Sequence, residues 1–446
     1  MNSTCGGHSV KMKKIITYGT FDLFHVGHFN ILKRAKEQGD YLIVGVTSES
    51  YDIERGKLNV HDDLLTRIRN VEATGFADKI ILEEYQGQKI NDVIKYKIDT
   101  LVIGSDWAGK FDYLKEYCKV LYLDRTKDIS STQLRANGAS ILRIGIVTDN
   151  ASDNNLTNET LYVSGLHVAG VYSSDLETAQ TCKDRFELAF ATNDFDLFLD
   201  KVDIVYVKTN IETRTRYSEL SLKAGKHVIV EPPLSLSETE VMRLRSKAYN
   251  NKVLLIERVT IAYLRAFTQL VWYLHGGLIG EILAIKSVLN ITGKETGFQE
   301  AQLSSAFAIR KLLTKESEPL VKNAFLRNAK DSMYFMGVLE QQNTVASFEV
   351  VDNMEMKSEL SLFGTRGCLS VPGDWLNIGY FQVNLKEPGS TPQHYSFNSE
   401  GNGFRYLLLE LLLMISDDRS ESIRYSDADS LACIKLLSEL NTRVAA

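Results

Sequence analysis

The chain has 446 residues, too many for one hydrophobic core, so two or three domains are expected. Hydrophobic residues at 44% and charged residues at 24% match a soluble globular protein, and the net charge of −6 brings no basic stripe for nucleic acid. No apolar run nears the ~20 residues of a membrane helix and the opening lacks a secretion signal, which predicts no membrane insertion and a cytoplasmic location. Cys5, Cys118, Cys182, Cys368 and Cys433 form no CxxC pair, a pattern of reduced thiols rather than of a disulfide or metal framework.

Residues 1–12 read as a disordered lead-in. Over 13–138, strands are expected at Lys14–Tyr18, Tyr41–Thr47, Lys79–Leu82, Thr100–Ile103 and Val120–Leu123. Helical patterns at Phe29–Gln38, Leu64–Ala73 and Asn91–Lys97 lie between them, and this alternation implies a parallel sheet covered on both faces. The small, polar Arg135–Ser140 marks a boundary. Over 141–260 a second series follows, with strands Leu142–Val147, His167–Tyr172, Val202–Val207 and His227–Val230 and helices Thr213–Ala224 and Glu238–Asn250. From 261 to 446 the strands lengthen (Ile282–Leu289, Thr344–Val350, Lys357–Phe363), and helices Arg405–Ile415 and Asp427–Asn441 close the chain. The expected fold class is α/β: a Rossmann-like N-terminal domain, a second Rossmann-like domain, then an α+β sheet domain.

The strongest chemical signal is ITYGTFDLFHVGHFNILKRA. A strand ends at Tyr18–Gly19, a turn follows, and His25-Val26-Gly27-His28 opens a helix. Free amides and the positive helix end attract phosphate, and Gly27 lets it approach the backbone. Two histidines three apart lie on one face, placed to stabilise charge during nucleotidyl transfer. After the last strand, Arg125 with Ser130, Ser131 and Thr132 makes a second phosphate cradle.

From about Lys13 to Arg135, GTFDLFHVGH, GSDWAGKFDYLK and RTKDISST resemble the cytidylyltransferase family, most closely its glycerol-3-phosphate branch. The resemblance implies that His25 and His28 contact the triphosphate, with Lys57 and Arg125 supporting it. Gly19, Thr20 and Phe21 would line the nucleotide turn with Gly27, and Asp22 is read as structural. Asp106 would border the cytosine, and Ser130, Ser131 and Thr132 would hold the β- and γ-phosphates. Arg67, Trp107 and Lys110 would face the acceptor. The implied partners are CTP, carried with Mg²⁺, and a polyol phosphate such as glycerol 3-phosphate. The implied product is CDP-glycerol, a precursor for cell-surface phosphoglycerol polymers. Ser105 and Asp128 depart from the family's GDDW and RTxGIST patterns, which leaves a related alditol phosphate open as acceptor.

VDIVYVKTNIETRTRYSELSLKAGKHVIVEPPLSLSETE and SELSLFGTRGCLSVPG resemble the Gfo/Idh/MocA oxidoreductase family from about Leu142 onward. Its dinucleotide turn is glycine-rich, whereas Gly145 is followed by Asp149 and Asp153 without another glycine before them. The family's Glu-Lys-Pro lysine is Pro232 here, and no histidine occurs between His275 and His394. Lys208 reads as a solvated strand-end lysine. The expectation is therefore a non-catalytic scaffold without NAD(P). The alternatives are a reductase that makes the polyol phosphate, and a chain that only senses nucleotide. Both resemblances imply a homo-oligomer, a dimer or higher.

Overall fold

A computed structural model describes residues 12–445 apart from 58, 125–140, 152–154, 294–296, 314–316, 388 and 398–400. The expected lead-in (up to 11), the expected boundary at 135–140 and the cradle residues Arg125, Ser130, Ser131 and Thr132 lie outside the described residues. Two compact units emerge: Met1–Arg143 with Thr157–His167, and Ile144–Leu156 with Val168–Ala446. Among the described residues the strands form three sheets.

In the first unit, β1 (Lys14–Gly19), β2 (Tyr41–Thr47), β3 (Lys79–Glu83), β4 (Thr100–Gly104) and β5 (Lys119–Leu123) pair in parallel, in the order β3-β2-β1-β4-β5. Successive strand residues face opposite sides. Ile15 packs with Leu32 of α1 (Val26–Lys36) and Val71 of α3 (Leu64–Ala73), while Ile16 packs with Val93 of α4 (Gln88–Tyr96). α2 (Glu49–Glu54) follows β2. The chain reverses its direction of strand addition between β1 and β4, and ligands of such sheets bind outside the strand C-termini at that point.

The Rossmann-like sheet of the second unit is built from Leu142–Thr148, Leu166–Tyr172, Phe190–Thr192, Ile204–Lys208, His227–Val230 and Leu255–Glu257. Its order is the same doubly wound one, the fourth strand lying beside the first. An eight-stranded sheet follows, running from Ile282–Asn290 to Gln393–Ser396; its pairings are antiparallel except that Thr344–Asp352 runs parallel to Ile282–Asn290.

The structure differs from expectation where local signals were weak. α1 begins at Val26, three residues before the apolar periodicity at Phe29 but where the His25–His28 motif points to a helix start, and His25 caps it by accepting the Gly27 N–H. The helix Phe298–Leu312 went unpredicted; residues 301–309 are all buried, so no polar face marks a helical period.

Candidate active site

The turn between β1 and α1 is held before any ligand arrives. Phe21 (φ 56) and Leu23 (φ 46) adopt left-handed backbone, and Asp22 between them accepts the N–H groups of His61 and Asp62 at 2.8–3.1 Å. Asp62 in return accepts the Leu23 N–H at 3.1 Å. Asp22 is thus a clasp on the turn. Thr20 Oγ1 donates to Asp52 at 3.0 Å and accepts from Arg55 at 2.6 Å, and Phe21 closes the floor at 3% exposure. A Cβ on Gly19 would meet the Phe21 ring at 3.0 Å.

His25 and His28 stack with ring centroids 4.0 Å apart. His25 Nδ1 accepts the Gly27 N–H at 3.0 Å, which leaves its proton on Nε2. His28 packs against Phe21 and Phe24, and its Nδ1 is buried with no hydrogen-bond partner among the described residues. Burial, then the neighbouring His25 and Lys57, pull the His28 pKa well below the usual histidine value. The His28 imidazole is therefore neutral, at a helix N-terminus whose amides favour anions.

Lys57 donates to the Leu161 carbonyl at 2.6 Å. Asp106 and Trp107 occupy the short 3-10 turn Ser105–Trp107 after β4, and the Lys110 ammonium sits 4.9 Å from the Trp107 ring centroid.

Arg67, expected to face the acceptor, lies beneath the turn rather than on the surface. Its side chain is 0% exposed and donates to the carbonyls of Thr20, Thr47 and Asp62 at 2.8–3.0 Å. It ties strand ends together, while its Nη2 is buried with no hydrogen-bond partner among the described residues. Arg55, unnoticed in the sequence, is instead partly exposed beside Thr20 and paired with Asp52. Its only sequence signal is its place two residues before Lys57.

In the second unit a cavity of about 1310 Å³ is walled by Asp149, Lys208, Asn210, Arg214, Glu231 and Glu300, among others. Lys208 is half-buried in this wall, not solvated as expected. Arg258 bridges Glu231 (2.6 and 3.0 Å) and Glu300 (2.7 Å), and Tyr206 donates to Glu231. Burial drives the Glu300 carboxyl up to about 7 against the pull of Arg258. Burial also opposes ionisation of Glu231, but Arg258 and Tyr206 hold it below its usual value. Asp149 accepts the Asn210 N–H at 2.7 Å, and the helix after the first strand, Asn155–Thr160, is six residues long.

Residues 16–137 match the cytidylyltransferase-like family, and residues 143–258 match the oxidoreductase family with an NAD-binding Rossmann fold. A glycerol-3-phosphate cytidylyltransferase of Bacillus spizizenii is 50% identical over 130 residues, 29% of this chain and 100% of that protein. The Bacillus subtilis protein of the same name is 42% identical, again over its whole length.

The chain belongs to the cytidylyltransferase family.

This cytidylyltransferase is a fusion, its nucleotidyltransferase unit followed by a Gfo/Idh/MocA-type fold. For the latter, a 3-ketoreductase from Actinomadura kijaniata superposes with TM-score 0.59 at 18% identity, covering 68% of this chain and 97% of that one. An aldose–aldose oxidoreductase from Caulobacter crescentus gives TM-score 0.58 at 16% identity, with the same coverage. These two likenesses show the fold alone. No helix among the described residues is long and apolar enough to cross a membrane.

Proposed function

We propose that the first unit transfers CMP from CTP to glycerol 3-phosphate, giving CDP-glycerol and pyrophosphate. The stacked His25–His28 pair at the α1 N-terminus, with His28 held neutral by burial, is the observation that carries this reading. An acceptor phosphate oxygen attacks the α-phosphorus in line and pyrophosphate leaves. A phosphate monoester is already nucleophilic at neutral pH, so the protein orients and stabilises charge rather than removing a proton. His25 and His28 would donate to triphosphate oxygens, Lys57 and Arg125 would balance their charge, and Ser130, Ser131 and Thr132 would cradle the leaving phosphates. Asp106 would border the base, with Trp107 and Lys110 on the acceptor side.

Mg²⁺ would be carried on the nucleotide. There it would neutralise triphosphate charge. The product suits cell-surface phosphoglycerol polymers, made by a cytoplasmic homo-oligomer.

The test is pyrophosphate release from the pure chain with Mg²⁺, CTP or ATP, and a panel of polyol phosphates. Glycerol 3-phosphate is expected to be the best acceptor, with CTP favoured over ATP at least about tenfold, the effect of one good base contact. Equal rates with ATP would remove the cytidylyl assignment.

The second unit is proposed to bind no NAD(P) and to perform no hydride transfer. Asp149 lies on the Asn210 amide where a pyrophosphate would need room, and Pro232 supplies no proton. No histidine lines the cavity among the described residues. The competing reading, a reductase that makes the acceptor, is favoured by the size of that cavity. Calorimetric titration of NADH and NADPH into the full chain separates them: no binding is expected, and micromolar affinity for either would establish the bifunctional enzyme.

A further inference from the structure

Thr157–His167 belongs to the first unit although it follows the first strand of the Rossmann-like sheet. The two Bacillus relatives are matched over their whole length by 130 residues, and the cytidylyltransferase-like match ends at residue 137, before this segment.

We infer that this segment completes the substrate site, with Tyr162 as a positioning residue that holds Lys110 and walls the acceptor pocket. The inference rests on the proposed transfer to a polyol phosphate, which places Trp107 and Lys110 beside the acceptor. Two consecutive residues of the segment reach two lysines. The Leu161 carbonyl accepts from Lys57 at 2.6 Å. The Tyr162 ring meets the Trp107 ring edge-on, centroids 5.9 Å apart and planes at 82°. Lys110 then lies against both rings, its ammonium 4.9 Å from the Trp107 centroid and 5.9 Å from that of Tyr162. A lysine on a four-carbon stem is costly to localise, and two ring faces hold its charge without cancelling it.

The segment is itself pinned. Asn59 donates to the Ser164 carbonyl at 2.9 Å and accepts the Ser164 N–H at 3.1 Å, a reciprocal pair on the loop that carries Lys57. The appended segment thus fixes two ammonium groups beside the proposed site.

The experiment is steady-state pyrophosphate release by the full chain at saturating CTP, varying glycerol 3-phosphate and then a five-carbon polyol phosphate. Tyr162→Ala is expected to raise the glycerol 3-phosphate KM about three- to tenfold, the effect of losing one ring contact and one cation–π contact, with kcat kept. It should also raise the five-carbon acceptor's share of kcat/KM, because the wall is gone. Tyr162→Phe keeps the ring and should stay within about twofold of the parent chain. Asn59→Gly removes the amide yet tolerates the left-handed φ of 47 at that position, so it loosens the segment without straining the loop and should raise the same KM. An active parent chain with unchanged acceptor KM and selectivity in Tyr162→Ala and Asn59→Gly overturns the inference. A parent chain that releases no pyrophosphate with any acceptor overturns the proposed function, and this inference with it.

Discussion

His28→Ala is expected to lower kcat for pyrophosphate release at least about a hundredfold, the scale of one lost preorganised transition-state donor, and His25→Ala likewise. The His28 Nδ1 is buried without a partner among the described residues, so Nε2 is the atom left to meet a ligand, and the depressed pKa keeps the ring neutral at pH 7. His25 Nδ1 is occupied by the Gly27 amide, which aims its Nε2–H the same way. His28 packs on Phe21 and Phe24 at the edge of the Ile15 cluster and His25 caps α1, so each variant should lose about 1–2 kcal/mol of stability while keeping the fold. Turnover near normal in either variant means the catalytic pair lies elsewhere.

Arg258→Met is expected to destabilise the second unit by about 3–5 kcal/mol, because it leaves Glu231 and Glu300 buried without their shared cation. The cost comes from stranded charge rather than from lost packing, methionine having a similar stem. Replacing both carboxylates by glutamine in the same variant should therefore recover most of the loss. Denaturation followed by circular dichroism measures it, with a two-step transition expected from two units. A drop below about 1 kcal/mol in Arg258→Met would show that the cluster is wet and weakly coupled.

These two sites differ in how far the sequence reveals them. The proposed phosphate site at α1 is local: turn, cap and both histidines fall within ten residues, so short-range rules for helix starts and anion binding suffice to point to it. The Tyr206–Glu231–Arg258–Glu300 cluster draws on positions separated by 25, 27 and 42 residues, and no spacing announces it. Arg67 shows a third case. A buried arginine that braces main-chain carbonyls looks, as a letter in a motif, the same as one that binds phosphate. The doubly wound sheets were legible from alternating apolar runs, but the helix Phe298–Leu312 was not, since a segment buried on every side carries no period. Residues 157–167 were hidden for a different reason: resemblance to the Gfo/Idh/MocA family assigns them to the second fold, while their contacts group them with the first unit.

The Gly19–Phe24 turn bears on how quickly a nucleotide is captured. Left-handed backbone at Phe21 and Leu23 costs roughly 1–2 kcal/mol per residue, and the Asp22 and Asp62 clasps hold it in place without ligand. That ordering is completed when the chain folds. On the proposed function, an arriving triphosphate would find this part of its site already shaped, so encounter there would be limited by diffusion and charge steering rather than by the waiting time for a loop to close.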